Sequence, residues 1–156
     1  DPIFHGDRVF ISSGYRAGGA LLDLSSGEPR QVWASQNMHN QFNSAVLIDG
    51  FLYGITGQNG KPEAGLACVE FATGKLRWKE ESVMFGALTA ANNHLIVIGE
   101  KGELVIADVN PERFVARSQA QVLGGRCWTA PVLANGRIYV RNAKGDVVCV
   151  EAHKQP

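Results

Sequence analysis

The sequence predicts an all-β chain built as a β-propeller. Its blades have four antiparallel strands, with three full blades and three strands of a fourth. Three observations predict this. An apolar run, a two-residue turn and a second apolar run recur four times at a spacing of 43 residues. The turn pairs are Gly, Asn and Asp, which tolerate the positive φ of a type I′ hairpin turn. The 18 glycines among 156 residues exceed the usual share of about 7% and punctuate apolar runs, as short strands and tight turns require.

The four copies of the pattern lie at 2–11, 45–54, 88–97 and 131–140. Their turn pairs are Gly6-Asp7, Asp49-Gly50, Asn92-Asn93 and Asn135-Gly136. Val9 and Phe10, Leu52 and Tyr53, Leu95 and Ile96, and Ile138 and Tyr139 follow at matching positions. Phe42, Phe85 and Trp128 share one register, each just before a new first strand. Lys101-Gly102 and Lys144-Gly145 mark the turn of the second hairpin. In the second copy the strands are expected at about 44–48, 51–56, 66–71 and 75–79. The acidic positions Asp23, Glu70, Asp108 and Glu151 drift in spacing, and the loops absorb that drift, the long 57–65 connection above all. Only 111–123 has some helical character, and its place in the repeat argues for strand plus loop. The repeats are taken as 1–43, 44–86, 87–129 and 130–156. A four-stranded sheet with two apolar faces cannot bury them alone, whereas radial stacking of such sheets can. A sandwich offers no reason for the fixed period.

Composition excludes several functions. Fifteen Lys and Arg balance 15 Asp and Glu, which argues against a strongly basic nucleic-acid binder. The longest aliphatic run is 95–98, far short of the ~20 apolar residues of a membrane span. Cys68, Cys127 and Cys149 form no C-x-x-C pair, so a disulfide framework or zinc site is not expected. All three read as small buried hydrophobes. No basic stretch followed by an apolar one opens the chain, so no signal peptide is expected in this segment. No nucleophile elbow supports a hydrolase.

Candidate site residues lie in loops that enter each innermost strand. His39 stands in the polar loop 37–44, and the matching loops are 82–86 and 124–129. In a propeller such loops crowd one end of the central channel, where ligands bind. The candidates for ligand contact are His39, Asn40, Asn43, Arg126 and Trp128. The competing view makes Phe42, Phe85 and Trp128 one repeated packing position. His5, His94 and His153 are expected at the surface. Asp108-x-Asn110 comes nearest to a metal-binding spacing, but it reads as a turn, and no metal site is expected.

The segment Cys68-Val69-Glu70-Phe71-Ala72-Thr73-Gly74-Lys75-Leu76-Arg77-Trp78 resembles the tryptophan-docking motif of quinoprotein propellers, A-x-D-x-x-T-G-K-x-x-W. Thr73, Gly74, Lys75 and Trp78 match outright, with Cys68 in place of Ala and Glu70 in place of Asp. The first repeat carries Asp23, Ser26, Gly27 and Trp33, with two extra residues before the Trp. The third keeps Asp108, with Phe114 or nearby apolar residues in the outer strand, and the fourth keeps Cys149 and Glu151. The whole chain is similar to the PQQ-like β-propeller superfamily. That resemblance implies structural roles for Trp33 and Trp78, docking blade to blade with Glu70 and Gly74, while Phe42 and Phe85 read as repeated packing residues.

The resemblance also bears on activity. Quinoprotein alcohol dehydrogenases of this fold bind PQQ and calcium beside two adjacent cysteines, and no adjacent pair exists here. The resemblance therefore implies a non-catalytic binding or scaffold module of the bacterial cell envelope, periplasmic or secreted, with no cofactor. One alternative is a fragment of a PQQ-dependent dehydrogenase, holding PQQ with calcium. Another is a carbohydrate-binding propeller. The expected partners are the remaining blades of a longer chain or a second copy, and a protein or glycan ligand. Nucleic acid and a membrane span are not expected.

Overall fold

In the computed structural model, which describes residues 1–152, all regular structure is β-strand and no helix occurs among those residues. The polar tail with His153 lies outside the described residues. The first sheet holds β1 (Ile3–His5), β2 (Arg8–Ser13), β3 (Gly18–Asp23) and β4 (Arg30–Ser35). The second holds β5 (Val46–Ile48), β6 (Phe51–Thr56), β7 (Gly65–Glu70) and β8 (Leu76–Glu80). The third holds β9 (Gly86–Ala91), β10 (His94–Gly99), β11 (Glu103–Asp108) and β12 (Ala116–Gln121). The fourth has three strands, β13 (Val132–Ala134), β14 (Arg137–Arg141) and β15 (Val147–Glu151). Every pairing is antiparallel and joins neighbours in sequence, which is the meander of a propeller blade. The four sheets do not close a ring.

The hairpin turns follow from their residues. Asp49 and Gly50, Asn92 and Asn93, and Asn135 and Gly136 all take positive φ. The first turn differs, because only Gly6 of its pair does so. Glycine enters the left-handed region without a Cβ clash, and Asp7 avoids it.

Alternation along the strands gives each inner sheet two apolar faces. Leu52, Ala67 and Val69 pack toward Phe10, Leu21 and Met38 of the first sheet and its exit loop. Their neighbours Tyr53, Ile55 and Cys68 pack the other way, toward Leu95, Val97 and Val105. Ile96, Ile98 and Leu104 then face Ile138 and Val140. Three cores thus lie between four sheets, and each fully buried side chain contributes roughly 1.5–3 kcal/mol. Close approach at the first of these cores needs glycine at 54: an added Cβ would lie 2.8 Å from Ala45 Cβ and 2.9 Å from Met38 Sδ.

Two side chains tie successive sheets from their outer strands. Trp33 Nε1 donates to Phe71 O at 2.9 Å, and Trp78 Nε1 donates to Asn110 O at 2.8 Å. Each indole sits opposite the third strand just before a bulge, as Leu21↔Trp33 and Cys68↔Trp78. In the third sheet that register position, Ile106↔Ser118, is a serine. Phe114, expected to serve in the third outer strand, instead lies before β12 and packs back on Trp78 at 5.9 Å. The turn in which Asn110 Oδ1 accepts from Glu112 N leaves Phe114 ahead of β12. The short side chains of Ala116, Ser118 and Ala120 leave β12 exposed along its length.

The cysteines also divide. Cys68 and Cys127 are buried, but Cys149 is exposed, contrary to expectation. Cys149 pairs with Tyr139 as Cys68 pairs with Tyr53, so the local geometry is equivalent. What differs is the cover: Cys68 lies under Trp78 of β8 and the third sheet, and no described strand pairs with the far edge of β15.

Candidate functional site

The loop 36–45 leaves β4 and folds over the first two sheets before entering β5. Its backbone is held by side chains: Asn40 N donates to Ser12 Oγ at 2.9 Å, and His39 N to Thr56 Oγ1 at 3.0 Å. Asn40 is itself buried and donates through Nδ2 to Ile55 O at 2.8 Å. Asn43 Nδ2 donates to Gly86 O at 2.8 Å, reaching the third sheet. Each of these two candidate ligand residues thus donates an amide proton to a backbone carbonyl of a neighbouring strand. Asn43 Oδ1 and His39 Nδ1 are buried and have no hydrogen-bond partner among the described residues. Burial holds the His39 imidazolium below its ordinary pKa of 6.5, with the Lys79 ammonium adding to the effect and Glu63 opposing it.

The three aromatics that share a register meet at this face. Phe42 stacks on Trp128 with ring centroids 4.8 Å apart, and Phe85 meets both edge-on at 6.1 and 6.0 Å. Phe85 is buried, whereas Phe42 is 51% exposed. The Arg126 guanidinium lies 4.6 Å from the centroid of the Trp128 ring. Trp128 Nε1 donates to Glu100 Oε1 at 3.3 Å, and Asn59 Nδ2 donates to the same oxygen at 2.6 Å. The face therefore presents an aromatic platform edged by one guanidinium, with its neighbouring carboxylate already hydrogen-bonded.

Arg126 and Trp128 are expected here from the sequence, whereas Glu100, Asn59 and Arg141 are not. Glu100 directly precedes the Lys101-Gly102 turn, a motif that marks a hairpin and carries no sign of a site. Arg141 and Asn142 close β14 and line, with Arg126, Trp128, Thr129 and Ala143, a pocket of about 150 Å³. His39 does not line that pocket.

A wider groove of about 520 Å³ lies between the turns of the first two sheets, around His5, Arg8, Asp23 and Phe71. Its Asp23 carboxylate is already engaged. Asp23 accepts hydrogen bonds from the hydroxyl and amide of Ser25, which together with Arg30 and Arg8 hold its carboxyl below the usual range. His5 meets Phe71 edge-on at 5.7 Å. Asp108 likewise binds Arg117 at 2.7 Å, and Asn110 Oδ1 accepts from Glu112 N at 2.8 Å, which makes a turn of that pair. Among the described residues no three His, Cys, Asp or Glu side chains gather where they could hold a metal ion.

A family model described as outer membrane protein assembly factor BamB matches residues 1–80. Among solved structures, BamB from Moraxella catarrhalis superposes with a TM-score of 0.69 at 16% identity, over 96% of this chain and 42% of that one. A computationally designed protein, Ika8, gives 0.69 at 10% identity, over 96% of this chain and 44% of that one. A europium-containing methanol dehydrogenase gives 0.59 at 18% identity, over 79% of this chain and 24% of that one. These likenesses concern the fold, and the chain spans under half the length of each of these structures. No curated protein sequence matches it.

Proposed function

The chain belongs to the family of the outer membrane protein assembly factor BamB, and from that premise we propose that it is a non-catalytic propeller module that binds a protein partner at the bacterial cell envelope. The observation that carries this reading is the half-exposed Phe42 stacked on Trp128 beside Arg126. Exposed aromatics next to an arginine are the side chains that interface hot spots favour. The family's printed name, an assembly factor of the outer membrane, supports a setting in the envelope. Among the described residues no helix is long and apolar enough to cross a membrane. Trp33 and Trp78 serve in this reading as docking residues that hold the blades in series. The remaining blades come from a longer chain or from a second copy.

A photo-cross-linking phenylalanine analogue at position 42 tests the reading in the producing cell, with position 28 at the opposite end as control. A discrete protein adduct at 42 and none at 28 is the expected result. A glycan adduct would favour the carbohydrate-binding alternative instead. Dye-linked alcohol oxidation by the chain with added PQQ and calcium would overturn the non-catalytic reading.

A further inference from the structure

We propose that Arg126 and Arg141 form a carboxylate-binding pocket on this propeller, one that takes an acidic side chain or a free C-terminus of a peptide. The proposal deepens the binding-module reading and rests on it for the identity of the partner as a protein.

Both arginines line the same small pocket, about 150 Å³, together with Trp128, Thr129, Asn142 and Ala143. Among the described residues neither arginine has an ion-pair partner, although seven other ion pairs occur. The two nearby acids are already engaged. Glu100 Oε1 accepts from Asn59 and Trp128, and Asp146 Oδ2 accepts from Asn142 Nδ2 at 2.7 Å. The arginines are also pre-set. Arg126 lies against the Trp128 ring and its carbonyl accepts from Ala143 N at 2.8 Å, while Arg141 Nε donates to Thr129 Oγ1 at 3.1 Å. Their terminal nitrogens remain free to donate. A planar fork held in place loses less entropy on binding, and two such forks suit the two oxygens of a carboxylate.

Size and charge select the ligand. The volume holds a carboxyl group with one or two methylenes, and the Trp128 ring and Ala143 supply an apolar wall for them. The net charge of the chain is zero, so no extended field draws a polyanion such as nucleic acid.

The test is a titration of the ¹⁵N-labelled protein, reading the Nε–Hε signals of its arginines. The probes are N-acetylglutamate α-amide for a side-chain carboxylate, N-acetylglycine for a C-terminus, N-acetylglutamine amide as neutral control, and inorganic phosphate. One carboxylate probe is expected to shift Arg126 and Arg141 saturably, the neutral control to leave them unmoved, and Arg141→Gln to weaken the response at least fivefold. Which carboxylate saturates first identifies the source. Equal shifts at Arg113 and Arg137, a stronger response to phosphate, or no saturable response would overturn the pocket. The wild-type titration decides this even if a variant fails to fold. A cross-link at position 42 with silent arginines would remove the pocket and keep the module.

Discussion

Trp33 of the first sheet donates its indole proton to the Phe71 carbonyl of the second, and its ring lies over Gly74 so closely that a Cβ there would sit 2.7 Å from Trp33 Cδ2. One contact thus couples an outer strand to the turn of its neighbour. Trp33→Phe removes the hydrogen bond and part of the ring and is expected to cost about 1–2 kcal/mol. Trp33→Ala also removes the ring, and because the side chain is partly exposed the loss is about 2–3 kcal/mol. Gly74→Ala meets both the ring and a φ of 72°, so its cost should exceed 1 kcal/mol. Urea denaturation of the three variants checks the order.

The serine at 118 stands where the first two sheets carry Trp33 and Trp78. Ser118→Trp is expected to stabilise the chain by about 1 kcal/mol, by laying an indole over the fourth sheet. The same substitution at Gln119, one position out of register, should give no gain. Thermal unfolding of both variants makes the comparison.

Stability should rise with pH around His39. Its folded pKa lies below the unfolded value of about 6.5, so between the two the unfolded chain binds more protons. The contribution is complete above that unfolded value and fades as pH falls through the window. His39→Gln should flatten the slope there. Asp23 and Asp108 act lower down: hydrogen bonds from Ser25 and from Arg117, respectively, depress their pKa values below 3.8, so their contribution is present above that value and lost in stronger acid.

Thiol reactivity should separate the cysteines. Cys149 is exposed, whereas burial raises the Cys68 thiol to about 11 and pushes Cys127 up as well. A disulfide reagent at neutral pH is expected to modify one thiol quickly and two slowly, and Cys149→Ser should abolish the fast phase.

The blade pattern was legible because hairpin turns are local. Asp49-Gly50, Asn92-Asn93 and Asn135-Gly136 declare their positive φ in residue type alone. The first turn departs because one glycine suffices where Asp7 can stay out of the left-handed region. Phe42, Phe85 and Trp128 could be aligned by register, but their mutual contact is a product of blade curvature that no single repeat encodes. The bonds of Asn40 and Asn43 to backbone carbonyls could not be read in advance, because a polar loop near a channel has the same composition whether its amides face a ligand or neighbouring carbonyls. Arg141 escaped notice because a strand-ending arginine carries no motif, and only folding sets it beside Arg126. Cys149 was misjudged since burial depends on what covers a strand, and its own residues do not report that.

The indole ties run in one direction, from the first sheet to the second and from the second to the third, and stop at Ser118. Two joints of the arc are latched by an indole, whereas the third has the packing around Ile98, Leu123 and Ile138 and the bonds from Asn142 Nδ2 to Gly124 O and from Ala143 N to Arg126 O, but no indole. The fourth sheet, which carries Arg141, therefore joins the arc without the indole that secures the other two joints. A ligand gripping Arg126 and Arg141 together would span that joint and act as its missing clasp.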